Sequence, residues 1–195
     1  MKKLLLLSLI FITASMFAQE NEAINESLAK PSKGKCMVYF ARRESGAILI
    51  KFGLYDKDLF LGKLGVKKYF AYECNPGEHV FIGKGENTYY VDANLEEGKT
   101  YVVDLKMKMG IMTARISLEP MDKSNKKYEK ERKKFLEFIA NKKGELLKTD
   151  PAEADDDKDD AVADDTGVSK RMKKFHEMKE SGKKITTITP DMYFE

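Results

Sequence analysis

The chain has 195 residues, of which 42% are apolar, 34% charged and 10% aromatic. That is too apolar for a wholly disordered chain and long enough for one compact domain with extensions. Lys and Arg total 35 against 32 Asp and Glu, a net charge of +3, so no overall polycation is offered to nucleic acid; two Cys exclude a disulfide-dense miniprotein, and two His leave little for a His-based metal cage.

The N-terminus predicts export. Lys2 and Lys3 precede residues 4–18, which carry no charge, and Glu20 ends the run. As a helix this run rises only about 22 Å, short of the ~20 residues a bilayer core needs. The layout is that of a secretory signal peptide with cleavage between Ala18 and Gln19. A lipoprotein needs a Cys at the cut, and the first Cys is Cys36. The expected product is therefore periplasmic or extracellular and carries no lipid.

Residues 19–33 are polar and mixed, which predicts a flexible lead-in, and 31–34 form a loop signal. From residue 34 to 120 the chain breaks into short apolar runs of period two. Tyr101, Val103, Leu105 and Met107 alternate with Asp104, Lys106 and Lys108; Met112, Ala114, Ile116 and Leu118 alternate with Thr113, Arg115 and Ser117. A strand with one wet face produces this pattern. Further strands are expected over 36–42, 47–54, 59–64, 68–74, 79–84 and 88–93, separated by turn residues such as Asn75-Pro76-Gly77 and Glu97-Gly98. No helix separates the strands, so the expected fold is mainly β: an antiparallel β-sandwich, immunoglobulin/prealbumin-like, with a C-terminal α-helical extension.

Beyond Pro120 the period becomes helical. Tyr128, Phe135, Ile139 and Leu146 predict an amphipathic basic helix over 124–148, capped by Ser124 or Asn125, with nine basic against four acidic residues. Residues 149–167 read as an acidic disordered linker, since 150–165 carry eight Asp, one Glu and one Lys. The spacing fails a calcium loop: counted from Asp155, the sixth position is Asp160 and the twelfth Thr166, where Gly and Glu are needed. Residues 168–195 are expected to form a short helix and tail, with Met172, Phe175 and Met178 on one stripe and Gly182 as its stop.

Chemistry is thinly signalled. Cys36 is in phase with Val38 and Phe40, and Cys74 with Phe70 and Tyr72. The pair is a candidate disulfide in an oxidising compartment, and two buried free thiols remain the alternative. No C-x-x-C is present, which disfavours a redox enzyme. His79 and His176 lack a second His or Cys at ligand spacing, and no metal or cofactor is expected. Gly83-Lys84-Gly85 lacks the spacing of a phosphate loop and reads as a hairpin turn. Tyr89, Tyr90 and Tyr101 read as packing residues rather than a ligand platform.

The order Val38-Tyr39-Phe40-Ala41-Arg42, Gly62, Tyr69-Phe70, Pro76-Gly77-Glu78-His79 and Glu97-Gly98-Lys99-Thr100-Tyr101 resembles the bacterial domain of unknown function 2846 over residues 34–120. The resemblance implies an exported β-sandwich module, often borne by lipoproteins, with no established activity. Pro76, Gly77 and Gly98 then read as structural turn residues, Pro76 presetting φ and Gly77 taking a positive one. The expected function is a non-catalytic interaction or structural module of the cell envelope, whose partner is an envelope protein or polymer. The alternative is a peripheral binder of anionic membrane or envelope polymer through the basic helices; a third class, an exported hydrolase, lacks clustered acid–base residues. Nucleic acid is not an expected partner, and oligomeric state is not readable.

Overall fold

The structure, a computed structural model, describes residues 28–46, 48–109, 114–140, 145–146 and 167–194. The expected cleavage site at Ala18 and Gln19 and the acidic stretch 150–165 lie outside the described residues. Eight strands follow one another first: β1 (Cys36–Arg42), β2 (Phe52–Asp56), β3 (Leu59–Leu64), β4 (Lys68–Cys74), β5 (Gly77–Lys84), β6 (Thr88–Leu95), β7 (Thr100–Met109) and β8 (Ala114–Pro120). Helix α1 (Tyr128–Ala140), β9 (Glu145–Leu146), helix α2 (Lys170–Glu180) and β10 (Thr186–Ile188) complete the described elements. The strands form two five-stranded sheets, ordered β8-β7-β1-β4-β9 and β10-β6-β5-β2-β3.

One apolar cluster draws on both sheets. Val38, Phe40, Phe70, Val103 and Leu118 of the first meet Phe52, Leu54, Phe81, Val91 and Leu95 of the second. Side chains alternate along each strand, so the intervening residues face away from this core. On β8 they are wet, as the alternation predicts, with Arg115 and Glu119 exposed, but on β1 they are not. All seven residues of β1 are buried, because Met37, Tyr39 and Ala41 pack under α1 with Phe135, Phe138 and Ile139. On the second sheet Tyr55, Val80, Ile82 and Tyr90 pack with Phe175 of α2. Each helix thus covers part of the outer face of one sheet.

Four further expectations are corrected. The sheets are mixed rather than antiparallel: β1 pairs parallel with β7, β4 with β9 and β6 with β10. The connection from β1 to β7 runs through the whole intervening meander, which gives a parallel pair its long crossover. The strand expected over 47–54 begins only at Phe52 and runs on to Asp56. Helix α1 ends at Ala140, and Leu146, expected on its apolar side, lies in β9 opposite Tyr69. Residues 28–33 of the expected flexible lead-in are docked: the Ala29 amide donates to Tyr39 Oη at 2.8 Å and the Ser32 amide to Glu73 Oε1 at 2.7 Å.

Candidate functional site: a buried thiol, carboxylate and imidazole cluster

The register sets β1 against β4 so that Cys36 lies directly opposite Cys74. Both face the core and are buried, and their sulfurs are 3.4 Å apart without being bonded. Tyr72, two residues before Cys74, points the same way. Its hydroxyl donates to Asp56 Oδ2 at 2.9 Å. Asp56 ends β2 in phase with Phe52 and Leu54, so the alternation that buries those residues carries a carboxylate inward as well. His79, in phase with Phe81 on β5, places Nδ1 2.6 Å from the same Asp56 oxygen and Nε2 2.8 Å from the Asn75 carbonyl. The Cys36 thiol lies 3.3 Å from that carbonyl too. Thiol, imidazole, carboxylate and phenol therefore form one connected set at one end of the core.

The electrostatics follow from these partners. Burial works against a charged His79, but the Asp56 carboxylate and the Asn75 carbonyl outweigh it and raise the imidazole above its ordinary value. With an oxygen acceptor at each nitrogen, the ring suits the doubly protonated form. The Cys36 thiol is lowered, first by the hydrogen bond from Cys74 and then, against burial, by the nearby His79. Cys74 is pushed up by that same bond and by burial, so the two thiols titrate as a pair. Burial and the Asp56 charge raise the Tyr72 phenol. Asp56 Oδ1 is buried with no hydrogen-bond partner, so the second oxygen carries both contacts.

The turns beside this cluster are built on glycine where the backbone requires it. Gly77 has φ 113° and Gly98 φ 75°, the left-handed side of the map. Pro76-Gly77 returns the chain from β4 into β5, and the Gly98 amide donates to the Lys35 carbonyl at 2.8 Å. Sequence reasoning found the cysteines by phase. It missed Asp56, which falls between the strands expected over 47–54 and 59–64, and Tyr72 as a phenol donor, and it weighed His79 only as a metal ligand. The available signal was parity: Asp56, Tyr72 and His79 all fall on the inward phase of their strands.

Asp104 and Glu131, the acidic groups at the foot of α1, are neutralised. A cavity of about 370 Å³ at the foot of α1 is lined by Asp104, Met121, Tyr128, Glu131 and Lys134. Arg43 binds both Asp104 and Glu131 there, and Lys134, with Arg43, lowers Glu131 to about 2. A carboxyl so acidic is no proton donor near neutrality. Tyr89, Tyr90 and Tyr101 do not converge: the Tyr90 hydroxyl donates to the Arg171 carbonyl beneath α2, while that of Tyr101 donates to the Pro190 carbonyl. Among the described residues no group of three or more His, Cys, Asp or Glu could hold a metal ion, and no helix is long and apolar enough to cross a membrane. Comparison with protein-family models, curated proteins and solved structures finds no match for this chain.

Proposed function

We propose that this chain is an exported, non-catalytic β-sandwich protein of immunoglobulin/prealbumin-like type, an interaction or structural module of the bacterial cell envelope. It works in the periplasm or outside the cell, without lipid. Kinship with the bacterial domain of unknown function 2846 over residues 34–120 belongs to this reading, as does a Cys36–Cys74 disulfide in the exported protein. The observation that carries it is the engagement of His79. Both ring nitrogens are held, by Asp56 and by the Asn75 carbonyl, so the best-placed acid–base group has no lone pair to offer a substrate. Nuclear magnetic resonance titration tests this directly. The expected His79 ring carries both N–H protons at neutral pH and titrates above the ordinary value. A neutral ring at pH 7 with a rapidly exchanging Nε2–H would restore a general base and overturn the reading.

A second reading, peripheral attachment to an anionic envelope polymer through the basic helices, is favoured by one observation. A concavity of about 410 Å³ beside α2 is lined by Lys174, Lys183 and Lys184 with Tyr89, Thr186 and a single carboxylate, Glu86, whereas the wet side of α1 mixes Lys130, Lys133 and Lys134 with Glu129 and Glu137. Retention on a polyanion resin that is lost in K174E/K183E/K184E supports it; unchanged retention removes it.

A further inference from the structure

β1, β3, β5 and β7 all run toward one end of the two sheets, so the connections 43–51, 65–67 and 85–87 gather there. The cysteine cluster lies at the opposite end. Connection 43–51 is unusual in composition. Ile48, Leu49 and Ile50 are 74%, 97% and 39% exposed, and among the described residues only Leu59 joins them as an exposed large apolar side chain. Consecutive apolar side chains standing in water at a loop tip mark a contact surface.

The tip is held in place from below. Arg42 is buried at the end of β1, its guanidinium 4.7 Å from the centre of the Phe52 ring. Its Nη1 donates to the Ile50 carbonyl and its Nη2 to the Gly46 carbonyl at 2.6 Å. A buried cation requires such acceptors, and here the acceptors bracket the apolar tip. Gly46 and Ile50 are therefore held by the group whose burial they satisfy, while Ile48 and Leu49 stand exposed.

The charge around the tip has one dominant sign. Lys51 follows it, Lys67 and Lys68 lie beside the end of β1, where the Lys67 amide donates to the Arg42 carbonyl at 2.9 Å, and Lys84 pairs across β2 with Gly53. The carboxylates at this end are Glu44, which lies 3.1 Å from Lys106, Glu86, and Asp104 and Glu131, both bound by Arg43 of the same connection. The opposite end carries Asp56, Asp58, Glu73, Glu78, Glu96, Glu97 and Asp191 against Lys35, Lys57, Lys99, Lys123 and Arg171. The molecule is thus polarised along the strands, basic at the apolar tip and acidic at the other pole.

We infer that Ile48 and Leu49 form a membrane-docking tip: they enter the interfacial layer of an anionic phospholipid bilayer while Lys51, Lys67, Lys68 and Lys84 meet its headgroups. Shallow apolar insertion combined with basic residues at headgroup level is how peripheral proteins hold such a surface. A protein groove would take the same apolar side chains, but the lysine surround matches a lipid surface of negative charge. The bilayer is touched, not crossed. This goes beyond the scaffold reading and does not need it, since a scaffold that ignores lipid remains a scaffold.

The absence of Trp from the chain makes the test clean. L49W introduces a single reporter at a position that packs against nothing, in protein purified as the cell processes it. Mixed with vesicles of phosphatidylcholine and phosphatidylglycerol, the indole emission of L49W should shift to the blue and be quenched by lipids brominated near the headgroup end of the acyl chain. Pure phosphatidylcholine vesicles, or 0.5 M salt, should remove most of the shift. I48A/L49A should lower vesicle affinity at least tenfold with an unchanged thermal midpoint. Emission from L49W that stays unshifted in the presence of anionic vesicles overturns the inference. So does binding that I48A/L49A leaves intact, which would assign attachment to the lysines alone, or self-association abolished by I48A/L49A, which would make the occupant a second copy.

Discussion

His79 binds its proton more tightly in the folded chain than in the unfolded one, because Asp56 and the Asn75 carbonyl face its two nitrogens. Above the unfolded value near 6.5 the folded state therefore holds more protons, and stability falls with pH. The contribution is complete below that value and is lost as pH rises through the folded one. Urea midpoints of the wild type should accordingly drop between pH 6 and pH 9, and H79Q should flatten that dependence; parallel profiles for the two proteins would detach His79 from stability. The neighbouring thiols make a second expectation. Sulfurs 3.4 Å apart on directly opposed residues need only a small rotation to bond. In protein recovered from an oxidising compartment, as the proposed export requires, thiol reagents should find no free Cys, and the intact mass should rise by about two hydrogens on reduction. Closing a loop between residues 38 apart in sequence is worth about 4 kcal/mol by the loop-closure relation, so C36S/C74S should lose stability of that order. Free thiols in protein so recovered would remove this term. Both cysteines were legible in the sequence because inward phase marks a small apolar-like residue as readily as a Val. Asp56 was not, because a carboxylate after Tyr55 looks like a turn, and only the register with Phe81 reveals that β2 continues through it.

At the level of elements, the helices matter chiefly as covers. Phe135 is fully buried and meets Tyr39 edge-on at 6.0 Å and Phe194 at 5.3 Å. Removing a ring so enclosed costs about 3–5 kcal/mol; F135A should lower stability by that amount and expose the Met37, Tyr39 and Ala41 face of β1, seen as dye binding to apolar surface. A loss under about 1 kcal/mol, small for a buried ring, would mean that α1 lies on the sheet without sealing it. The sequence signalled this helix through Tyr128, Phe135 and Ile139, and α2 through Met172, Phe175 and Met178; the structure adds the cap, Ser169, whose side chain accepts from the Met172 amide at 3.2 Å. Boundaries were less legible. Leu146 continues the helical spacing, but the free edge of β4 offers backbone partners that a further helical turn would not use, and Glu145–Leu146 pairs with it instead. Residues 47–54 look like a strand because Ile48, Leu49 and Ile50 form an apolar run. What wins locally is the demand of buried Arg42 for the Gly46 and Ile50 carbonyls, a long-range consequence of folding β1 into the core.

For the molecule as a whole, the last residues act as a strap rather than an appendage. β10 extends the second sheet by pairing with β6. The chain then crosses to the first sheet, where the Phe194 amide donates to the Thr100 carbonyl at 2.6 Å and the ring enters the α1 cluster beside Tyr128 and Phe135. Between these points Tyr193 lies under the ammonium groups of Lys99 and Lys123, at 3.9 and 3.2 Å. Nothing in the local composition of residues 185–195 announces this, since a run of β-branched residues and a Pro also suits a loose tail. The contacts it makes are separated from it by roughly the whole sandwich sequence, and such pairings are set by topology. A strap joining two layers should couple their stabilities. F194A should therefore cost about 3 kcal/mol and speed amide exchange mainly in α1, whereas deleting residues 186–195 should speed it in β6 as well, by uncovering that strand's edge. If the deletion leaves α1 protected while β6 opens, the layers are stable independently and the tail only caps an edge. If both open together, the C-terminal residues belong to the cooperative core, and the domain boundary suggested by the change from strand to helix at Pro120 is not a boundary in folding.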